Sequence, residues 1–130
     1  MKKETLNWIA SSEYDLNTAE HMLKSGRYLY VIFVCHLSIE KLLKAIISED
    51  TGKLPPKAHD LIYLASLAKL QPPESNLDFI GKINSASVVT RYPEDLSMAV
   101  SAYPKEIAED YLARTKEALS WLKQDTRLKK

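Results

Sequence analysis

The sequence predicts an all-α protein, an antiparallel up-and-down four-helix bundle with an additional short helix. Three observations carry this expectation. Apolar residues recur three and four residues apart through four long segments, the spacing of one helix face. Glycine is scarce, at 3 residues in 130, whereas strands joined by tight turns use it freely. No segment alternates apolar and polar residues as a half-buried strand would, and no repeat or low-complexity tract competes.

The first helix is expected from about Lys3 to Lys24, where Ile9, Leu16 and Leu23 recur with Ser12 and Ala19 between them. Ser25 and Gly26 end it, because glycine takes a left-handed cap without strain. A second helix follows from about Arg27 to Glu49. Its first half is apolar nearly all round, which means burial on more than one side, and Ile39, Leu42, Leu43, Ile46 and Ile47 form a cleaner stripe in its second half. Gly52, Pro55 and Pro56 then break the chain.

A short third helix is expected from about His59 to Lys69, with Asp60 near its start where a carboxylate meets unpaired amides. The fourth, about Glu74 to Thr90, carries Leu77, Ile80, Ile83 and Ala86 and must stop before Pro93. Tyr92 to Tyr103 reads as a loop. Pro104 suits the first position of a last helix reaching about Gln124, with Ala108, Tyr111, Leu112, Thr115, Leu119 and Leu122 on one face. Short connections between long helices favour the up-and-down arrangement.

A chain of 130 residues fits a single domain, residues 1–130 with a core over about 3–124, and can bury roughly two thirds of its unfolded surface without metal or disulfides. Its 18 Lys and Arg against 17 Asp and Glu give no overall field to attract long nucleic acid, so any RNA contact must be local. Lys2, Lys3, Arg127, Lys129 and Lys130 cluster at the two ends and read as solvated, frayed termini. Cys35, the only cysteine, lies in the apolar run Val31 to Cys35 and reads as core. The start of the chain is too polar for a signal peptide, and the longest apolar run, Tyr28 to Leu37, is too short for a bilayer. A cytoplasmic protein without membrane contact is expected.

Metal and cofactor chemistry find no support. The paired Glu-x-x-His spacing of bundle metal sites is missing, the three histidines His21, His36 and His59 show no zinc spacing, and the glycines form no phosphate-binding loop. The most pointed polar series lies on the second helix, where His36, Glu40 and Lys44 stand four residues apart and stack along one face. It reads either as a ladder of contacts at the edge of a buried face or as the wall of a groove, with Lys44 for a phosphate and His36 for a base or ribose. His59 and Asp60 open the short helix, and Arg91 and Tyr92 close the fourth, where capping and the helix dipole already favour them.

These residues also carry a family likeness. Trp8, Asp15, Leu16 and Ala19, then Gly26, Arg27 and Tyr28, then His36 through Ala45 with its Glu40-Lys41 pair and Lys44-Ala45, resemble the opening half of HEPN domains. His59-Asp60-Leu61 resembles the start of that family's short helix, and Arg91-Tyr92-Pro93 its element after the fourth helix. The likeness spans about Trp8 to Leu122. It implies a helical bundle, commonly a homodimer, that binds nucleotides or cleaves RNA without metal, often beside a minimal nucleotidyltransferase in toxin–antitoxin pairs. The family's ribonucleases place a His after four to six residues beyond an Arg; beyond Arg91 those positions hold Leu96, Ser97 and Met98. The resemblance therefore implies a nuclease-inactive module that homodimerises and binds a nucleotide or a nucleotidyltransferase partner through His36, Glu40, Lys44, His59, Asp60, Arg91 and Tyr92. The alternatives are a metal-independent ribonuclease toxin using Arg91 with a distant histidine, and a helical assembly module without ligand, with Tyr30 and Phe33 at its interface.

Overall fold

Serine and alanine at seven-residue spacing let the first two helices approach closely, and the rest of the chain packs onto the second. The structure, a computed structural model, describes residues 1–129. Its elements are α1 (Lys3–Lys24), α2 (Tyr28–Thr51), α3 (Leu61–Leu67), α4 (Glu74–Arg91), α5 (Leu96–Ala102) and α6 (Lys105–Lys123), followed by a 3-10 turn at Thr126–Leu128. No strand occurs among the described residues. The fold is an all-helical bundle.

The α1–α2 connection is tight because Gly26 adopts a φ of +80°, a geometry that costs glycine nothing. The pair is then fixed in register by two serines. Ser12 Oγ donates to the Ser38 carbonyl at 2.7 Å, and Ser38 Oγ donates to the Ser12 carbonyl at 2.9 Å. Both serines are buried, so these bonds satisfy polar groups that would otherwise be costly inside. One turn further on, Asp15 meets Lys41 at 2.7 Å.

α2 touches every other helix, as its two-sided hydrophobicity requires. Ile39, Leu42, Leu43, Ile46 and Ile47, the expected stripe, are all buried. Cys35 is fully buried beside Thr115, and burial pushes its thiol up to about 12, so it stays protonated and serves as packing. α6 supplies the expected face in full. On α4, Phe79 rather than Leu77 fills the core, and Leu77 is exposed.

Three expectations need correction. The stretch Tyr92 to Tyr103 is not all loop. It contains α5, capped by Asp95, whose side chain accepts from the Met98 amide at 3.0 Å. The chain ends are not simply frayed: the Lys2 amide donates to Glu49 Oε1 at 3.0 Å, and its Nζ donates to the Glu49 carbonyl at 2.7 Å. Arg127 donates to both carboxylate oxygens of Asp125 and lies 3.6 Å from Asp50. Lys3 and Lys129 are exposed, and Lys130 falls outside the described residues. Pro104 is the residue before α6 rather than its first, with a ψ of 176°.

Candidate functional site

The site is built where the start of α3 meets the last two turns of α4. Asn84, Ser87, Val88 and Arg91 are spaced three and four apart, so one face of α4 presents them together. Asn84 ties the two elements. Its Oδ1 accepts from the Leu61 amide at 2.9 Å, and its Nδ2 donates to Asp60 Oδ1 at 3.1 Å. The same Asp60 oxygen caps α3 by accepting from the amides of Ile62 and Tyr63. His59, just before this cap, is thereby held over the face of α4. The result is a cleft of about 350 Å³ lined by His59, Asp60, Asn84, Ser87, Val88, Arg91 and Tyr92. That volume falls in the range of small-molecule sites.

Beneath the cleft lies the polar series of α2. Glu40 is 4% exposed, and its two oxygens serve different partners: Oε1 meets His59 Nδ1 at 3.0 Å, and Oε2 accepts from Lys44 Nζ at 3.2 Å. A carboxylate can only accept, so this contact places a proton on His59 Nδ1, while Nε2 accepts in the neutral ring and donates once the ring is protonated. The His59 side chain is 60% exposed. Lys44 is itself buried, with its ammonium 5.7 Å from the centre of the Trp8 ring. It does not line the cleft.

His36 is 1% exposed, and neither ring nitrogen has a hydrogen-bond partner. Burial lowers its pKa, more than the Glu40 carboxylate 3.9 Å away raises it. Asn84 and the His59 backbone lie alongside and also favour the charged ring, while Arg91 opposes it. None of these neighbours makes a well-formed bond to the ring. The imidazole is therefore held neutral by desolvation.

Arg91 is the cleft's one permanent cation. Its guanidinium carbon sits 4.8 Å from the centre of the Phe33 ring, and its Nε has no hydrogen-bond partner. It forms no ion pair among the described residues. A guanidinium fixed on an aromatic face with its donors unspent is suited to an anion. Tyr92, 75% exposed, stands at the rim.

Of the residues expected from sequence, His59, Asp60, Arg91 and Tyr92 share one cleft, with His36 and Glu40 below it. Lys44 faces Trp8 instead. Sequence reasoning missed Asn84 and Ser87, and it treated Phe33 as an interface residue although its ring supports Arg91. Asn84 had a signal. An asparagine in the middle of a helix competes with the backbone unless its amide has work elsewhere. No group of three His, Cys, Asp or Glu that could hold a metal occurs among the described residues. Nor is any helix among them long and apolar enough to cross a membrane.

This is a helix-bundle domain with a surface-cleft arginine that forms no ion pair among the described residues. The family model of the HEPN domain matches residues 5–125, and the chain belongs to that family. Two solved structures share the fold at 20% sequence identity. One is ST0689, an archaeal HEPN homologue, with a TM-score of 0.75, covering 94% of this chain and 97% of that one. The other is TT1696 from Thermus thermophilus, with a TM-score of 0.79, covering 95% of this chain and 98% of that one. No curated protein matches the chain.

The buried neutral His36 makes stability depend on pH. Its pKa is lowered in the folded chain, so on acidification the unfolded chain binds the proton first. The stabilising contribution is complete above the ordinary histidine value of about 6.5 and is lost as pH falls through it toward the lowered folded value. The urea midpoint should drop between about pH 7 and about pH 5, and His36→Gln should flatten that drop. An unchanged slope in the variant would mean that another group controls it.

Proposed function

We propose that this chain is a nuclease-inactive, cytoplasmic HEPN module that homodimerises and binds a nucleotide, a partner minimal nucleotidyltransferase, or both, within a toxin–antitoxin pair. The observation that carries the nucleotide reading is Arg91, stacked on Phe33 in a cleft with no carboxylate paired to it. A phosphate would complete it. His59, Asp60, Arg91 and Tyr92 would meet the ligand, while Glu40, paired with Lys44, would hold His59 in place, with His36 packed beneath. The lack of a His at positions 96 to 98 supports the loss of nuclease activity. Family membership supports the homodimer and the partner.

Calorimetry with ATP, ADP and AMP tests the nucleotide part. At least one should release heat, and Arg91→Ala should weaken it by about tenfold or more, the worth of a charge-assisted hydrogen bond. No heat with any of the three rejects nucleotide binding. Sedimentation equilibrium should give a dimer, and co-expression with a nucleotidyltransferase encoded beside this chain should copurify the two. A monomer that captures no such protein removes both parts.

One observation favours the ribonuclease reading as a second possibility: His59, far from Arg91 in sequence, lines the same cleft. With Nδ1 held by Glu40, its Nε2 could take the proton of an RNA 2′-hydroxyl as that oxygen attacks phosphorus. The P–O5′ bond would break, leaving a cyclic phosphate, and the 5′ oxygen would take a proton from water. Purified protein incubated with tRNA and mRNA in chelator should then cleave them, and both His59→Ala and Arg91→Ala should stop it. Intact RNA rejects this reading.

A further inference from the structure

A second cavity adjoins the cleft. It lies between the end of α4 and α5, has a volume of about 460 Å³, and is lined by apolar groups including Val89, Pro93, Met98 and Ala99. Val88 and Tyr92 belong to both cavities and stand one helical turn apart on the wall between them. Much of this surface is open to solvent: Val88 is 65% exposed, Tyr92 75% and Met98 71%. The carboxylates of Glu94 and Asp95 line the apolar cavity, and Asp95 is already spent on capping α5. The two cavities thus join an end that presents Arg91 to an end walled by apolar side chains and two carboxylates, with an exposed aromatic ring at the junction.

We infer that the two cavities together hold a nucleoside monophosphate, its phosphate at Arg91 and His59 and its base against Tyr92 in the α4–α5 cavity. This rests on the nucleotide reading above and specifies which nucleotide and which way round. Three features argue it. Arg91, which lines the cleft and forms no ion pair among the described residues, sets the phosphate end. Tyr92 offers a stacking face to any base, and the apolar wall behind it removes base surface from water. Glu94, an acceptor without a hydrogen, suits a base that carries an exocyclic amine, as adenine does.

Charge limits the ligand to one phosphate. Arg91 is the only lysine or arginine lining either cavity, whereas Asp60, Glu94 and Asp95 are acidic. Each further phosphate would add negative charge without a matching cation, and a bridging metal would find no ligand cluster among the described residues. ATP should therefore bind no more tightly than AMP.

The test compares AMP with ribose 5-phosphate, which has the phosphate and sugar but no base, on the full chain and on Ala102→Trp. Ala102 lines the apolar cavity and is exposed, so an indole there fills the cavity without entering the core. In the unmodified chain AMP should bind about tenfold more tightly than ribose 5-phosphate, the scale of one stacked base. Ala102→Trp should erase that advantage and leave ribose 5-phosphate unaffected. Equal affinities in the unmodified chain, an advantage that survives the substitution, or ATP binding more tightly than AMP would each overturn the inference while leaving nucleotide binding intact. Failure of AMP, ADP and ATP alike to bind would overturn the nucleotide reading itself.

Discussion

The carboxylate of Glu40 is the constraint around which the functional end of the molecule is arranged. A charge this deeply buried is tolerated only when partners replace the water it has lost. Lys44 supplies one from the next turn of the same helix, and His59 supplies the other from the segment before α3. The second contact has structural reach. It pins the end of the connection that follows Pro55 and Pro56 onto α2, and so decides where α3 begins. Asp60 and Asn84 then fasten that beginning to α4. A cleft walled by the segment before α3 and by the end of α4 is in this way held by a short chain of polar contacts with a buried acid of α2 at its root.

Packing explains why such a chain can exist in a domain of this size. α2 meets helices on several sides, so its polar residues cannot turn to solvent and must find partners inside. Ser38 finds Ser12, Lys41 finds Asp15, and Glu40 finds Lys44 and His59. The first two fix the α1–α2 register; the third faces the opposite neighbours and shapes the cleft. His36 is the member left without a well-formed hydrogen bond, and its burial holds the ring neutral.

The long helices were legible because their periodicity is local. The α6 face and the α2 stripe could be read residue by residue, and both are buried as read. α5 was not legible: seven residues between two prolines bury only Ala99, so the segment has no periodic face to detect. The chain ends failed for a different reason. Lys2 and Arg127 are held by Glu49 and Asp50, and pairings with residues far along the chain leave no trace in spacing. The site divides the same way. That His36, Glu40 and Lys44 share a face followed from their spacing. That Glu40 turns to His59, that Lys44 turns to Trp8, and that His59 shares a cleft with Arg91 depended on where α3 and α1 dock, which no local pattern encodes.

The same geometry weighs the two functional readings against each other. Cleaving RNA without metal asks for a base at the 2′-hydroxyl, an acid at the leaving oxygen and a cation on the phosphate. Within one chain the cleft offers Arg91 for the cation and His59 for one proton-transfer role. The remaining histidine nearby, His36, is buried, held neutral by desolvation and absent from the cleft lining, so it is poorly placed for the other. Binding a phosphate asks for less: an unspent guanidinium and a neighbouring imidazole, both already fixed in position by Phe33 and Glu40. The arrangement supplies more of what binding needs than of what cleavage needs, which is why binding is the function proposed for this cleft.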